Sequence, residues 1–235
     1  MAQFSDNLAC VRERVADACQ RAARPVESVR LVGVTKTVGP TLARELVEAG
    51  CSDLAESRPQ ALWAKQEALA DLGDRIRWHF IGHLQRNKLR RTLPLCHLVH
   101  SLDSLRLLDA IAAERGGHGS PVDVLIEVNL TGETARTGLE PAAVRPLLDA
   151  WPARGARLCG LMGMASAAAP GDPPDTARRQ FAGLRALRDR IEAERPGLRL
   201  PELSMGMSGD FEDAILEGAT IVRIGSALWE GVANG

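Results

Sequence analysis

Tyrosine is absent from this chain of 235 residues, and phenylalanine and tryptophan supply only four residues each. Without tyrosine, every mechanism in which a phenol of this chain acts as general base is excluded. Cysteine is sparse and unpaired in pattern: Cys10, Cys19, Cys51, Cys96 and Cys159 are odd in number, scattered, and form no C-x-x-C spacing. That excludes a disulfide framework and a cysteine zinc site, and it fits a reduced compartment. No apolar run approaches the length of a membrane span, and Asp6, Arg12, Glu13 and Arg14 interrupt the first fifteen residues where a signal peptide would be apolar. A net charge of −1 leaves no electrostatic footprint for nucleic acid or an anionic membrane. The expectation is a cytoplasmic protein.

Lysine is the other scarce residue. The 29 basic residues include only three lysines, Lys36, Lys65 and Lys88; all the others are arginine. Lys36 ends the apolar segment Leu31-Val32-Gly33-Val34-Thr35-Lys36, which reads as a buried strand. An amine in a low-dielectric pocket can shed its proton and attack a carbonyl, whereas a guanidinium stays charged. The alternative is a surface lysine snorkelling from a strand end. Position alone does not separate the two.

The first element reads as an amphipathic helix with Phe4, Leu8, Val11, Val15, Ala18 and Ala22 on one stripe. Short apolar runs follow at 29–34, 53–55, 76–81, 98–101, 122–128, 158–162, 202–205 and 220–224, separated by segments of helical period. Asp103 and Asp172 to Asp175 lie where helix N-caps are expected. Eight strands alternating with helices predict an α/β fold, a single (β/α)8 TIM-type barrel with an extra N-terminal helix, over one domain of residues 1–235. A doubly wound open sheet is the alternative, weakened because no G-x-G-x-x-G or Walker loop follows a strand. Few residues follow Ser226, so the N-terminal helix is expected to complete the outer ring. Loops 131–138 and 165–174 would lie at the C-terminal mouth, most simply as mobile connections, and Gly116–Gly119 would be a flexible turn at the opposite face.

Three segments can carry chemistry. Leu203-Ser-Met-Gly-Met-Ser-Gly-Asp210 and Ile221-Val-Arg-Ile-Gly-Ser226 each run from a strand into Ser and Gly. Loops after the last two strands of a barrel commonly cradle a phosphate, which makes Ser208, Gly225 and Ser226 candidates. Arg223 alternates with Ile221 and Gly225 and is expected inside the barrel, paired either to a ligand or to an internal carboxylate. Trp78-His-Phe-Ile-Gly-His-Leu-Gln-Arg-Asn-Lys-Leu-Arg90 reads as a strand, a turn and a helix from about Gln85, with His79 and His83 lining the mouth or serving structural roles. Arg86, Lys88, Arg90 and Arg91 form a basic helical patch, most simply a solvated face.

The combination Val-Thr-Lys36, WHFIGHLQRNK and LSMGMSGDFEDAILEGATIVRIGSALWEG resembles the pyridoxal-phosphate homeostasis proteins, nearly end to end. That family is similar to the N-terminal barrel of alanine racemase. The resemblance implies pyridoxal 5′-phosphate as cofactor, held as a Schiff base on Lys36. It implies that Ser208, Gly225 and Ser226 hold the phosphate, and that Arg223 lies beside the pyridine nitrogen. It departs after the second strand, where the family's usual Gly-Glu-Asn is Ala55-Glu56-Ser57 here and Pro59 follows. Ser57 therefore stands where an asparagine is expected near the cofactor.

On this reading, burial and a neighbouring Arg223 would favour the neutral, nucleophilic form of Lys36. An arginine cannot stabilise a protonated pyridinium as a carboxylate does, so transamination and decarboxylation are disfavoured. A racemase of the lysine–tyrosine design is disfavoured by the missing tyrosine. The resemblance implies a role in intracellular cofactor homeostasis, buffering or delivering pyridoxal phosphate with little or no catalysis, with apo enzymes as recipients and the protein as a monomer. Two alternatives stay open: an amino-acid racemase-like enzyme with His79 or His83 as bases, and a Schiff-base aldolase using the same loops.

Overall fold

The computed structural model describes residues 2–115, 120–151, 155–167 and 173–232. Eight parallel strands close into a barrel in chain order: β1 Arg30–Val34, β2 Asp53–Glu56, β3 Arg77–Phe80, β4 Cys96–Leu102, β5 Val122–Asn129, β6 Ala156–Met164, β7 Glu202–Ser204 and β8 Ile221–Ile224. β8 returns to pair with β1, Arg30 opposite Ile221 and Gly33 opposite Ile224, which leaves no free edge. The helices are α1 Ala2–Arg21, α2 Pro40–Glu48, α3 Pro59–Ala68, α4 Leu89–Thr92, α5 Leu105–Arg115, α6 Pro141–Asp149, α7 Thr176–Glu194, α8 Phe211–Leu216 and α9 Ser226–Trp229. The barrel and the N-terminal helix agree with the sequence reading. The Gly116–Gly119 turn, Asp172 and the middle of loop 165–174 lie outside the described residues.

Strand alternation sorts side chains into two layers. Leu54, Phe80, Val99, Ile126, Leu161, Leu203, Val222 and Ile224 point outward into the layer beneath the helices. There they meet helix stripes such as Leu46 of α2, Leu62 of α3 and Phe181 and Leu184 of α7. Val32, Val34, Ala55, Leu98, Leu125, Met162 and Ile221 fill the barrel itself.

α9 is a single turn, and α1 supplies the missing cover. Phe4 stacks on Trp229 with centroids 5.5 Å apart, and Asn7 Nδ2 donates to the carbonyls of Leu228 and Glu230 at 3.1 and 2.9 Å. Arg14 clamps Glu212 of α8 with two bonds and lies 4.7 Å over the Phe211 ring.

Two local expectations fail. The helix expected from Gln85 is broken: a 3-10 turn at Arg86–Lys88 leads into the four-residue α4 and a second 3-10 turn at Leu93–Leu95. Pro94 has no N–H to continue the ladder, so the segment stops there. Its basic face is solvated, with Arg86, Arg90 and Arg91 exposed, and Arg91 and Lys88 also lie 4.3 and 5.8 Å from the Trp63 ring centroid. The cap of α5 is Ser104, whose Oγ accepts from the N–H of Leu107 at 3.3 Å, while Asp103 accepts from the Ser104 hydroxyl.

The barrel interior also carries a file of buried polar groups. His79 Nε2 lies 2.9 Å from Asp53 Oδ1, and His79 Nδ1 lies 2.8 Å from His100 Nε2. His100 Nδ1 lies 2.8 Å from Ser204 Oγ, which accepts from Arg223 Nη1 at 2.6 Å. His79 and His100 are both fully buried, and burial pushes both imidazoles below their ordinary value, His100 strongly so. For His79, the carboxylate of Asp53 pulls the other way without winning.

These two histidines make stability depend on pH. They stay neutral in the fold, whereas the unfolded chain protonates them below about pH 6.5. The unfolded state then binds more protons, so stability falls as pH drops through that value, by up to about 1.4 kcal/mol per pH unit for each histidine. Urea denaturation at pH 7.5 and 5.5 should show this loss; equal unfolding free energies at the two values would contradict it.

Candidate functional site

The C-terminal ends of β1, β2, β6, β7 and β8 surround a cavity of about 990 Å³ at the barrel mouth. Lys36, Ser57, Ser208, Arg223, Gly225 and Ser226 all line it. The six residues singled out in the sequence, spread over nearly 200 positions, are thus brought to one place. Ile81, Met162, Met164 and Met207 supply apolar wall between them.

The surroundings of Lys36 differ from expectation. β1 ends at Val34, Thr35 is buried, and Lys36 begins a turn in which the N–H of Val38 donates to Thr35 O at 3.0 Å. Lys36 is exposed and reaches the cavity from its rim. The buried amine of this region is Lys65 on α3. It pairs with the fully buried Glu56 and donates to the carbonyl of Thr35 at 2.6 Å. Thr35 Oγ1 donates to the same Glu56 oxygen at 2.8 Å, and the other, Glu56 Oε2, has no partner among the described residues. Two buried groups therefore grip Thr35, immediately before Lys36, Lys65 by its carbonyl and Glu56 by its hydroxyl. Trp229 adds a third hold, its indole N–H donating to Val34 O at 2.8 Å. Sequence reasoning missed Lys65, although the scarcity that drew attention to Lys36 applies equally to it.

The loops after β7 and β8 meet at Ser208. Its Oγ accepts from the N–H groups of Gly225 and Ala227, both at 3.2 Å. Asp210 shapes the turn by accepting from the N–H of Met207 at 2.6 Å. Ser226 is exposed at the start of α9. The result is a backbone-lined pocket edge with hydroxyls and N–H groups, chemistry suited to phosphate oxygens.

Arg223 points inward, as its alternation predicted. Its two hydrogen-bond partners are neutral: the hydroxyl of Ser204 and the carbonyl of Gly163, the latter at 3.2 Å from Nη2. Burial lowers its pKa to about 10, with Asp210 and Glu127 opposing from farther away. A buried guanidinium among neutral partners, lining a cavity, suits an acceptor atom of a ligand better than a closed internal ion pair.

Ser57 lies where β2 and the loop after β3 press together. A Cβ on Gly82 would fall 2.0 Å from the carbonyl oxygen of Ser57, so only glycine allows this approach. His79 does not line the mouth: on β3 it faces inward between Asp53 and His100, with both ring nitrogens engaged. His83 is exposed, with Nδ1 3.4 Å from Asp103. The loop at 131–138, expected to be mobile, is pinned by Asn129, whose Oδ1 accepts from the N–H groups of Thr131 and Gly132 and whose Nδ2 donates to Glu133 O. No cluster of three or more metal-ligating side chains occurs among the described residues.

Comparison with known proteins agrees with this geometry. Residues 7–231 match the alanine racemase N-terminal domain family. The pyridoxal phosphate homeostasis protein of Aquifex aeolicus is 41% identical, with 95% of this chain aligned to 96% of that one. Among solved structures, an unknown protein from Bifidobacterium adolescentis aligns with a TM-score of 0.88 at 36% identity, covering 97% of this chain and 94% of that one. PipY of Synechococcus elongatus PCC7942 with PLP bound aligns with a TM-score of 0.79 at 32% identity, covering 96% and 99%.

The buried pair beside Lys36 gives a stability prediction. Lys65→Met leaves the Glu56 carboxylate without its counter-charge and should cost about 3–5 kcal/mol of unfolding free energy. Replacing both partners, Glu56→Leu with Lys65→Met, should cost less than the single change. Chemical denaturation of the three proteins measures this, and a double variant less stable than Lys65→Met would refute it.

Proposed function

Because this chain belongs to the alanine racemase N-terminal domain family, we propose that it binds pyridoxal 5′-phosphate at the barrel mouth and serves in cytoplasmic homeostasis of that vitamin B6 cofactor. The observation that carries the reading is the convergence of Lys36, Ser208, Arg223, Gly225, Ser226 and Ser57 on one cavity. The names of full-length relatives and the PLP-bound PipY structure support it from outside the chain.

The residues present fit the group. Ser208 and Ser226 offer hydroxyls to a phosphate, and the N–H groups of Gly225 and Ala227 fix the Ser208 oxygen so that its O–H is left to donate. The methionine and isoleucine walls suit a flat heteroaromatic ring. Arg223, buried against neutral partners, has donor capacity for a ring acceptor. The cofactor supplies an aldehyde that a primary amine captures reversibly as an imine, with loss of one water. Lys36 is the amine we assign to that linkage. Its place on the rim keeps it accessible to an arriving aldehyde, while Lys65 and Trp229 hold its backbone still.

The same residues argue for a carrier over a catalyst. Arg223 keeps its proton at neutral pH, so a ring nitrogen beside it is offered a hydrogen bond and no proton. The histidines that a racemase-like reading would use as bases are occupied inside the barrel or turned to solvent by Asp103. Residues 1–235 act on this reading as one cofactor-binding unit, a monomer that buffers pyridoxal phosphate or passes it to apo enzymes.

Borohydride reduction of the loaded protein, followed by peptide mass mapping, should place the label on Lys36, and Lys36→Ala should lose both the label and the imine absorbance. Ser208→Ala should weaken cofactor binding about tenfold, the worth of one net hydrogen bond to a charged group. Incubation with amino acids in D2O should exchange α-protons no faster than free cofactor does. Exchange well above that rate would make the protein an enzyme, and an unlabelled Lys36 at saturating cofactor would overturn the assignment.

A further inference from the structure

The file of polar groups inside the barrel has a direction that its two ends impose. At the end away from the mouth, the Asp53 carboxylate can only accept, and it already takes bonds from Arg77, with Arg30 at 4.0 Å. His79 must therefore carry its proton on Nε2, 2.9 Å from Asp53. A neutral His79 then offers only a lone pair at Nδ1, so the proton in the 2.8 Å contact belongs to His100 Nε2. A neutral His100 likewise offers Nδ1 as acceptor, and the hydroxyl of Ser204 must donate to it. At the mouth, Arg223 can only donate, and it does so to the oxygen of that same hydroxyl. Every bond in the chain points from Arg223 toward Asp53. An anion at one end and a cation at the other select this one arrangement, in which no member is left unpaired.

We propose that Asp53, through His79, His100 and Ser204, is a remote positioning residue for Arg223, fixing how its guanidinium is presented to the mouth cavity. The relay transmits orientation and polarisation but no protons, because its terminal member holds its proton at neutral pH. The carboxylate polarises each imidazole in turn and makes the Ser204 oxygen a stronger, singly oriented acceptor. If the chain were reversed, Ser204 would accept from both His100 and Arg223 while its own O–H lost its partner. Asp53 is therefore the choice between two hydrogen-bond polarities, one satisfied and one not. The consequence for the cofactor rests on the reading above; the relay itself does not.

Histidine tautomers report the polarity directly. In the 15N-labelled, ligand-free protein at pH 7.5, long-range 1H–15N correlation should find both His79 and His100 as neutral Nε2–H forms. In Asp53→Ala only the donors Arg77 and Arg30 remain at that end, so both rings should switch to Nδ1–H and the Arg223 guanidinium resonances should shift. Ser204→Ala cuts the chain next to Arg223: the tautomers should stay, and the Arg223 resonances should shift again. In the loaded protein both variants should move the absorbance band of the Lys36-bound cofactor. An Nδ1–H form of either histidine in the wild type would overturn the proposal. So would unchanged Arg223 resonances in either variant. Should Asp53→Ala fail to fold, the wild-type tautomers and Ser204→Ala still decide. A wild type with the expected tautomers but no cofactor band would support the relay and sink the cofactor reading.

Discussion

Arg223 places a guanidinium inside a closed barrel, and the rest of the interior is organised around the cost of that burial. A charge of this kind is tolerated only where hydrogen bonds replace its hydration. The barrel meets the condition with Ser204 and the Gly163 carbonyl, with Asp210 and Glu127 favouring the charge from farther away, and two histidines link Ser204 to Asp53 at the other end of the interior. Barrels of this type usually fill their axis with branched apolar residues. Here Val32, Val34, Ala55, Leu98, Leu125, Met162 and Ile221 do so, and the polar file shares the interior with them. The interior thus gives up some hydrophobic burial and gains a donor aimed at the mouth.

Much of this architecture was legible in the sequence. The eight apolar runs stood at the right places because parallel strands covered on both faces read as short continuous hydrophobic segments. Arg223 could be placed inward from period-two alternation alone, and the serine–glycine loops could be placed at the mouth from their position after the last two strands. The points left open have a common cause, which is that local pattern does not report three-dimensional pairing. The apolar run at 31–36 leaves Lys36 open to a buried or a snorkelling reading, and only the fold shows that β1 ends two residues earlier and leaves the amine exposed at the rim. The segment around His79 leaves a mouth role and a structural role open, and the fold decides for the structural one, because alternation with the outward Trp78 and Phe80 turns it inside.

Lys65 shows the limit most clearly. Nothing within α3 marks it, since its partner Glu56 lies on β2 and its carbonyl acceptor, Thr35, follows β1. The signal was present only as rarity: a chain that writes positive charge as arginine retains an amine where a compact, three-donor head must enter a tight layer. Ser57 is a similar case. The sequence showed a departure from the related motif, and the fold shows why the backbone there has little freedom, because Gly82 lets a neighbouring loop lie against it.

The closure of β8 onto β1 has a temporal side. Lys36 lies just past the first strand, and Ser226 and Trp229 lie just past the last, so the cavity draws on residues that emerge from synthesis at opposite times. Until β8 arrives, β1 presents an open edge and Val34 lacks the indole that holds its carbonyl. No partial barrel holds the mouth cavity around Lys36 in its finished geometry. The mouth cavity is therefore completed late and nearly all at once, with the long-range pairing of β8 on β1.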